Sequence, residues 1–264
     1  MNKKYILDAD NLDLLKRKIS EAERTLLFLD YDGTLAPFKA DPLSAFALPE
    51  TEKNLKKLEK SSNYYLSLVS GRKLNELKKM IDLRHSNYAG SHGLEIDMVF
   101  KEELIYPYQN QKIDVLSKKN YQKVKEKFLQ TESVELEDKG FGFALHFESE
   151  LKQKEATKEL KVLFENTAYQ VLSGRKILEI RPAGWDKGKA VNYISQQIKV
   201  HLDLDKVLRI YIGDDRTDED AFKALKDGVT VYVQNEDDLK TEAEFYLKDP
   251  ADTAKLLKKL AGDF

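Results

Sequence analysis

Four apolar residues, Leu26 to Leu29, run directly into the segment Asp30-Tyr31-Asp32-Gly33-Thr34. A short continuous apolar run predicts a strand buried on both faces, as in a parallel sheet, and Asp-Gly marks a turn. Asp30 and Asp32 share one side of an extended chain, and open α/β sheets bind ligands at the carboxyl ends of their strands. The segment therefore predicts a reactive site at a sheet edge. The alternative is a solvated turn after a core strand.

Apolar runs alternate with helical patterns in the first hundred residues and again after Pro182. The predicted strands span residues 25–30, 64–69, 207–212, 229–233 and 244–247. The predicted helices cover the segment around Leu12 to Ile19, residues 49–60, and a stretch that begins near Lys187. This β-α alternation predicts an α/β fold, a doubly wound, Rossmann-like parallel sheet.

A different order separates these two parts. A helix predicted over 113–128 precedes strands at 133–137 and 142–147, which Asp138-Lys139-Gly140 joins in a hairpin turn, and the order then repeats. The repeat consists of a helix over 151–164 and strands at 169–172 and 176–180. An α-β-β-α-β-β block predicts an antiparallel sheet covered by helices. The expected division is a core domain in two parts, 1–108 and 182–264, and an inserted α/β cap domain, 109–181.

The composition excludes several functional classes. There are 44 basic and 46 acidic residues, so no net charge favours nucleic acid or an anionic membrane. The absence of cysteine excludes disulfides, thiolate metal sites and a cysteine nucleophile. No apolar stretch approaches the roughly 20 residues that span a bilayer, and the first eight residues lack the apolar run of a signal peptide. We expect a cytoplasmic, soluble protein and favour a monomer.

Other candidate site residues follow predicted strands or begin helices. They are Ser70, Gly71 and Arg72 after one strand, Lys187 at a helix start, and Asp214, Asp215 and Asp218 after another strand. Together with Asp30 and Asp32 they fit phosphoryl transfer. A carboxylate that attacks a phosphate meets like-charge repulsion, so the site needs a cation and an ammonium. Hard oxygen ligands indicate Mg²⁺.

Simpler structural roles exist for the same residues. Ser70 fits the cap of the next helix, and Lys187 fits a surface lysine, although a lysine at a helix N-terminus is unfavourable unless an anion faces it. A helix capped by Thr217 explains part of the acidic run. It does not explain Asp214 and Asp215 directly after an apolar strand, where clustered carboxylates repel one another without a cation.

These motifs, in this order, resemble those of the haloacid dehalogenase superfamily, whose phosphatases carry DxDGT, a Ser or Thr after the second strand, a Lys and a final acidic motif. The resemblance implies that Asp30 is the nucleophile and Asp32 the general acid and base. It also implies a set of ligands. Mg²⁺ would be held by Asp30, by Asp214 and by the backbone carbonyl of Asp32, with Asp215 and Asp218 in support. The phosphoryl oxygens would be bound by Ser70 and Lys187, with Gly71 and Arg72 beside them.

Three further segments resemble the trehalose-6-phosphate phosphatase family: Gly90-Ser91-His92-Gly93-Leu94-Glu95, Glu179-Ile180-Arg181-Pro182 ahead of Lys187, and Gly213 to Phe222. The resemblance implies that polar residues of the cap bind the sugar hydroxyls; the matching positions in this chain are Glu137, Lys139 and Glu179. One departure is His146-Phe147-Glu148, where the family usually reads His-Tyr-Arg. An acid in place of that cation bears on sugar recognition. His146 itself is expected to be a packed strand residue rather than a catalyst.

The expected function is a Mg²⁺-dependent phosphatase that hydrolyses trehalose 6-phosphate, a small-molecule sugar phosphate, through an aspartyl-phosphate. The alternatives are the same chemistry on another sugar phosphate, of sucrose phosphate or mannosyl phosphoglycerate type, and a non-catalytic sugar-phosphate sensor on the same fold. A signalling receiver also gathers Asp, Ser or Thr and Lys around Mg²⁺. The order of the motifs and the large insert argue against a receiver, and the presence of both Asp30 and Asp32 argues against a sensor.

Overall fold

The structure, a computed structural model, describes residues 3–39, 41–110, 113–174, 176–235 and 240–262. The chain divides into two units, which we call the core unit (Met1–Tyr106 with Asp186–Phe264) and the insert unit (Pro107–Trp185). Elements are numbered along the chain. The predicted role of residues 109–181, a cap that sets substrate specificity, stays a prediction.

Among the described residues, eight strands form the sheet of the core unit. In spatial order they are β1 (Lys4–Tyr5), β12 (Phe245–Leu247), β11 (Val229–Val233), β10 (Val207–Gly213), β2 (Arg24–Leu29), β3 (Tyr64–Val69), β4 (Asn87–Gly90) and β5 (Glu95–Asp97). Neighbours are parallel, except that β4 and β5 pair antiparallel. The predicted α/β fold with a mostly parallel sheet is therefore confirmed. The short strands β1, β4 and β5 were not predicted.

Helices connect these strands. They are α1 (Ala9–Ser20), α2 (Pro49–Leu58), α3 (Leu74–Met80), α6 (Lys187–Leu202), α7 (Asp218–Ala224) and α8 (Pro250–Leu260). The helix predicted over 49–60 thus ends at Leu58. Within the described part of the chain, no helix has the length and apolar character needed to cross a bilayer, and α6, with 16 residues, is the longest.

The middle of the core sheet is rigid because β2 is enclosed on all sides. β2 pairs in parallel with β10 on one edge and with β3 on the other, and Leu26 to Leu29 are fully buried. Burial of one such leucine is worth about 1.5–3 kcal/mol relative to exposure, so this strand is held firmly. The residues that follow β2, β3 and β10 therefore emerge from fixed points at one edge of the sheet.

The insert unit contains a four-stranded antiparallel sheet with two helices. The sheet order is β6 (Val134–Asp138), β7 (Phe143–Phe147), β9 (Ile177–Pro182) and β8 (Tyr169–Ser173), and the helices are α4 (Val115–Leu129) and α5 (Glu150–Leu163). Apolar residues of β7 and β9 pack with Val124 and Phe128 of α4 and with Leu160 of α5. The predicted hairpin turn is confirmed, since Lys139 N donates to Gly142 O at 2.8 Å and Gly140 has φ 82°.

Candidate active site

Three predicted site residues lie at the carboxyl edge of the core sheet. Asp30 continues β2, and its N–H donates to Ile212 O of β10 at 2.9 Å. Ser70 follows β3, and its N–H donates to Ala89 O of β4 at 2.9 Å. Asp214 follows β10 directly. Because these strands are parallel neighbours, residues that are far apart in the chain meet at one edge.

Lys187 is the cation at the centre of this edge. Its side chain is 2% exposed, and Nζ lies 2.8 Å from Asp30 Oδ1 and 2.7 Å from Asp218 Oδ1. Burial alone lowers the pKa of Lys187, but the carboxylates of Asp218 and Asp30 outweigh burial and hold this pKa well above its usual value. The ammonium is therefore charged. The alternative of a surface lysine is wrong.

The start of α6 places Lys187. Asp186 caps the helix, with Oδ1 accepting a hydrogen bond from Lys189 N at 2.8 Å. Gly188 then allows α6 and α7 to approach closely, because a Cβ there would lie 2.3 Å from Asp220 O. A side chain at position 188 would push the helix, and Lys187 with it, away from α7.

Asp218 is fully buried, and all its oxygen positions are engaged by donors. Oδ1 accepts from Lys187 Nζ at 2.7 Å and from the Tyr211 hydroxyl at 2.6 Å. Oδ2 accepts from the backbone N–H groups of Asp214 and Asp215, both at 2.9 Å. Four donors use about the four acceptor sites that a carboxylate has. Asp218 therefore fixes the ammonium and the turn after β10.

Asp215 and Thr217 form the outer part of the same turn. Thr217 N and Oγ1 donate to Asp215 Oδ1 at 2.8 and 2.7 Å, and the Thr217 side chain caps no helix N–H. Thr217 is thus the N-cap residue of α7, as the alternative predicted, but its side chain makes no capping hydrogen bond. Burial raises the pKa of Asp215, but Lys187, with Nζ 3.9 Å away, and the Thr217 hydroxyl lower it below the usual value. Asp215 is thus an ionised acid at the rim.

Asp214 is fully buried and held by two neutral donors. Thr34 Oγ1 donates to Oδ1 at 3.1 Å, and Asn235 Nδ2 donates to Oδ2 at 3.1 Å. Gly33, with φ 76°, lies so close that a Cβ there would be 2.2 Å from Asp214 Oδ2. Burial and the nearby charges of Asp218 and Asp215 raise the pKa of Asp214 to about 8. Each of its oxygens keeps an acceptor site beyond its one hydrogen bond.

The buried acids fit a hard divalent cation. Within the described residues, one carboxylate oxygen from each of Asp30, Asp214 and Asp218 lies within 4.8 Å of the others. Burial, followed by the charge of Asp214, raises the pKa of Asp30 well above its usual value, although Lys187 opposes this. Such crowding disfavours the charged forms unless a cation joins them. Because donors surround Asp218, Asp30 and Asp214 offer the free oxygen positions.

Asp32 and Arg72 form a separate pair at this edge. Arg72 Nε and one terminal nitrogen donate to the two oxygens of Asp32 at 2.7 and 2.6 Å. The resemblance placed Arg72 beside the phosphate, whereas the structure directs its guanidinium onto Asp32. Ser70 does not cap α3, whose N-cap is Lys73; Ser70 Oγ instead accepts from Arg72 N at 3.2 Å. The cap alternative for Ser70 is therefore wrong.

The remaining predicted residues belong to the insert unit. Lys139 Nζ lies 3.6 Å from Glu179 Oε1, and Glu137 Oε2 lies 3.3 Å from His146 Nε2. His146 lies in β7, as predicted, but its side chain is 44% exposed and is therefore only partly packed. In the strand register, Ala144 pairs with both Glu137 and Glu179, which puts these two acids on one face of the sheet.

The sequence analysis quoted Thr34, Ser91, His92 and Glu95 within its motifs but gave them no role in the site. It missed Tyr211 and Asn235. Asn235 could have been predicted from the sequence, because it lies just past the apolar run of β11 and therefore at the same sheet edge. Tyr211 could not, since it lies inside a strand and its pattern is that of a core residue. Ser91 and His92 both have positive φ, 50° and 57°, which no local pattern revealed.

Comparisons with known proteins agree on the family. The profile of the trehalose-phosphatase family matches residues 28–251. Probable trehalose-phosphate phosphatase I of Arabidopsis thaliana is 33% identical over 91% of this chain and 68% of its own length. Trehalose-phosphate phosphatase B of the same plant is 32% identical over 91% of this chain and 67% of its own.

Solved structures share the fold. The C-terminal domain of C. albicans trehalose-6-phosphate phosphatase superposes with a TM-score of 0.80 at 24% identity and covers 99% of each chain. A haloacid dehalogenase-like hydrolase from Bacteroides thetaiotaomicron has a TM-score of 0.69 at 16% identity and covers 90% of this chain and 100% of its own. The chain therefore belongs to the trehalose-phosphatase family, a family of phosphoric monoester hydrolases.

Proposed function

We propose that this protein is a Mg²⁺-dependent phosphatase that converts trehalose 6-phosphate to trehalose and phosphate through an aspartyl-phosphate on Asp30. One observation carries the proposal: Asp30 lies in a buried cluster with the Lys187 ammonium and the carboxylate of Asp214. The relatives named as trehalose-phosphate phosphatases support this substrate. The buried acids support a metal, and their hard oxygen donors favour Mg²⁺.

In the first step, an oxygen of Asp30 attacks phosphorus while the bond between phosphorus and the sugar oxygen breaks. Asp32 gives a proton to the departing sugar alkoxide, which leaves as a neutral alcohol. The ammonium of Lys187, held against Asp30, offsets charge on the phosphoryl oxygens, and Ser70 binds one of them. The products of this step are trehalose and the mixed anhydride on Asp30.

In the second step, water attacks phosphorus of the aspartyl-phosphate, and Asp32, now ionised, takes the proton of this water. The bond between phosphorus and the Asp30 oxygen breaks, which restores the carboxylate and releases phosphate. Asp218 keeps Lys187 and the turn after β10 in place through both steps, because four donors fix its carboxylate.

Asp30, Asp214 and the backbone carbonyl of Asp32 would hold Mg²⁺, supported by Asp215 and Asp218. When bound, the cation supplies neutralising charge to the phosphoryl oxygens and so reduces their repulsion of Asp30. Thr34 and Asn235 orient Asp214 for this task. Such outer hydrogen bonds fix the direction of a ligand's free oxygen positions.

For sugar recognition we propose Glu137, Lys139 and Glu179 of the insert unit, which would accept and donate hydrogen bonds to hydroxyl groups. One observation favours a second candidate, a phosphatase of another sugar phosphate. Glu148 stands where the family usually has an arginine, and it pairs with Lys152 at 3.1 Å. A carboxylate there repels a phosphate and accepts from hydroxyls, whereas an arginine does the opposite.

The test is phosphate release from a panel of trehalose 6-phosphate, sucrose 6-phosphate, mannosyl phosphoglycerate and glucose 6-phosphate, with Mg²⁺ and with a chelator. We expect the highest kcat/KM for trehalose 6-phosphate and no turnover without the cation. Asp30→Asn, which keeps size and shape, should remain folded and release no phosphate. Retained turnover in this variant would end the aspartyl-phosphate mechanism, and a preference for another sugar would support the second candidate.

The same assay separates a phosphatase from a sensor or a receiver. An enzyme releases many equivalents of phosphate per chain, whereas a receiver takes up one equivalent of label and a sensor takes up none. We also propose that the protein is a cytoplasmic monomer without a nucleic-acid or membrane partner. Light scattering would measure the mass, and a dimer would correct that part alone.

A further inference from the structure

The guanidinium of Arg72 donates two parallel hydrogen bonds, 2.7 and 2.6 Å long, to the Asp32 carboxylate. This bidentate geometry fixes the plane of a carboxylate as well as its distance. The Arg72 side chain is 8% exposed, whereas that of Asp32 is 31% exposed. Arg72 is thus the buried and fixed partner, and Asp32 is the accessible one.

Arg72 is itself held at several points. Its backbone N–H donates to Ser70 Oγ at 3.2 Å, and its carbonyl accepts from Ser91 N at 2.6 Å. The guanidinium carbon lies 5.5 Å from the centre of the Tyr31 ring, within the range of a cation–π contact. The side chain therefore reaches Asp32 from a fixed backbone.

The turn after β4 supplies this backbone support. Ser91 and His92 hold left-handed conformations that residues with side chains rarely adopt. Ser91 Oγ donates to Glu95 Oε2 at 2.9 Å, and Glu95 Oε2 also accepts a hydrogen bond from Leu74 N at 3.2 Å. The His92 ring occupies the space over Gly71, where a Cβ would lie 2.9 Å from its Cε1 atom. The turn and the segment from Ser70 to Leu74 are thus interlocked.

We propose that Arg72 is a positioning residue that acts through Asp32: it holds the Asp32 side chain in the orientation from which its protonated form, restored in the second step of each turnover, passes a proton to the leaving sugar oxygen. The inference rests on the proposed function, in which Asp32 is the general acid. A carboxylate of this exposure would otherwise sample several rotamers. A displacement of about 1 Å in a reacting group costs on the order of 10²-fold in rate.

The test compares two leaving groups. A sugar alkoxide needs a proton to depart, whereas p-nitrophenolate departs without one. The quantity to measure is kcat/KM, because it reports only the steps up to release of the alcohol. For Arg72→Gln we expect a loss of about 10²-fold on the sugar phosphate and a loss below about 10-fold on p-nitrophenyl phosphate. Arg72→Lys, which keeps the charge but not the bidentate contact, should have a kcat/KM on the sugar phosphate between those of wild type and Arg72→Gln.

Two controls separate positioning from other roles. Arg84→Gln, which makes the same change at an exposed arginine, should leave kcat/KM unchanged for both substrates. In a double-mutant cycle, Arg72→Gln should cause no further loss of kcat/KM on the sugar phosphate once Asp32→Asn is present, because both changes remove the same proton transfer. Calorimetric melting of each variant checks that the protein is folded, and Arg72→Lys carries the test if Arg72→Gln does not fold.

Other results would overturn the inference. Equal losses on both substrates would mean that Arg72 binds the phosphoryl group, and a gain in activity would mean that it restrains Asp32 in an unproductive position. Additive losses in the double variant would show that the two residues act independently. Failure of the proposed function has a different signature: wild-type protein would then release phosphate from no sugar phosphate in the panel.

Discussion

Replacement of Lys187 by methionine tests the buried cluster most directly. The ammonium is 2% exposed and lies 2.8 Å from Asp30 and 2.7 Å from Asp218. Methionine fills nearly the same volume, so the change removes charge and hydrogen bonds rather than packing. Removal of one partner from a buried ion pair costs about 3–5 kcal/mol, because the other charge is left without compensation. Here two carboxylates lose their common partner.

We therefore expect Lys187→Met to lose about 3–5 kcal/mol of stability without metal. A domain of this size loses about 2–4 °C of melting temperature per kcal/mol, so the midpoint should fall by about 6–20 °C. Differential scanning calorimetry in a chelator measures this fall. The loss should be smaller at pH 5 than at pH 8, because the unpaired acids can then take up protons. Turnover should also disappear.

Matched variants make the result specific. Lys189→Met changes an exposed lysine of the same helix and should alter stability by no more than about 0.5 kcal/mol. The double variant Lys187→Met with Asp218→Asn should recover part of the lost stability, since one of the orphaned carboxylates is gone, while remaining inactive. If Lys187→Met melted with the wild type and turned over normally, the account of the cluster would be wrong.

Three further changes have distinct readouts. Gly188→Ala should lower the melting midpoint, because overpacking costs about 1–3 kcal/mol and a Cβ there would meet Asp220 O at 2.3 Å. Asn235→Leu should raise the Mg²⁺ concentration for half-maximal activity by about 10–100-fold, since it removes a donor that orients Asp214; an unchanged value would exclude that role. Although burial raises the pKa of Asp252, hydrogen bonds from Lys255 and Tyr5 lower it below its usual value. Asp252→Asn should therefore lose stability at neutral pH, and urea unfolding should show this deficit shrinking below about pH 4, where the carboxylate takes up its proton.

The position of the site could be predicted because it follows from a general property of parallel sheets. β2 and β10 are apolar runs that end in acids, and parallel neighbours deliver their carboxyl ends to one edge. The prediction needed only strand identity and direction. Short strands escaped it for a physical reason: β1 has 2 residues and β5 has 3, too few for any periodicity to emerge.

The pairing of side chains could not be predicted from the same patterns. Arg72 lies 40 positions from Asp32, and Lys187 lies 157 positions from Asp30, so neither contact leaves a local trace in the sequence. The resemblance placed Arg72 beside the phosphate because it follows Ser70 and Gly71. The strained turn at Ser91 and His92, which composition does not reveal, helps to fix the backbone from which Arg72 reaches Asp32.

A count of charges links the cluster to its cation. Asp30, Asp214 and Asp218 are three buried acids around one buried ammonium, so full ionisation leaves an excess of two negative charges. Without metal, protons must carry part of this excess; burial, followed by the charges of Asp218 and Asp215, raises the pKa of Asp214 to about 8. A divalent cation would supply the two missing charges and keep Asp30 ionised at neutral pH, as its proposed role as nucleophile requires. The same imbalance that disfavours the empty cluster therefore favours occupation by a divalent rather than a monovalent cation.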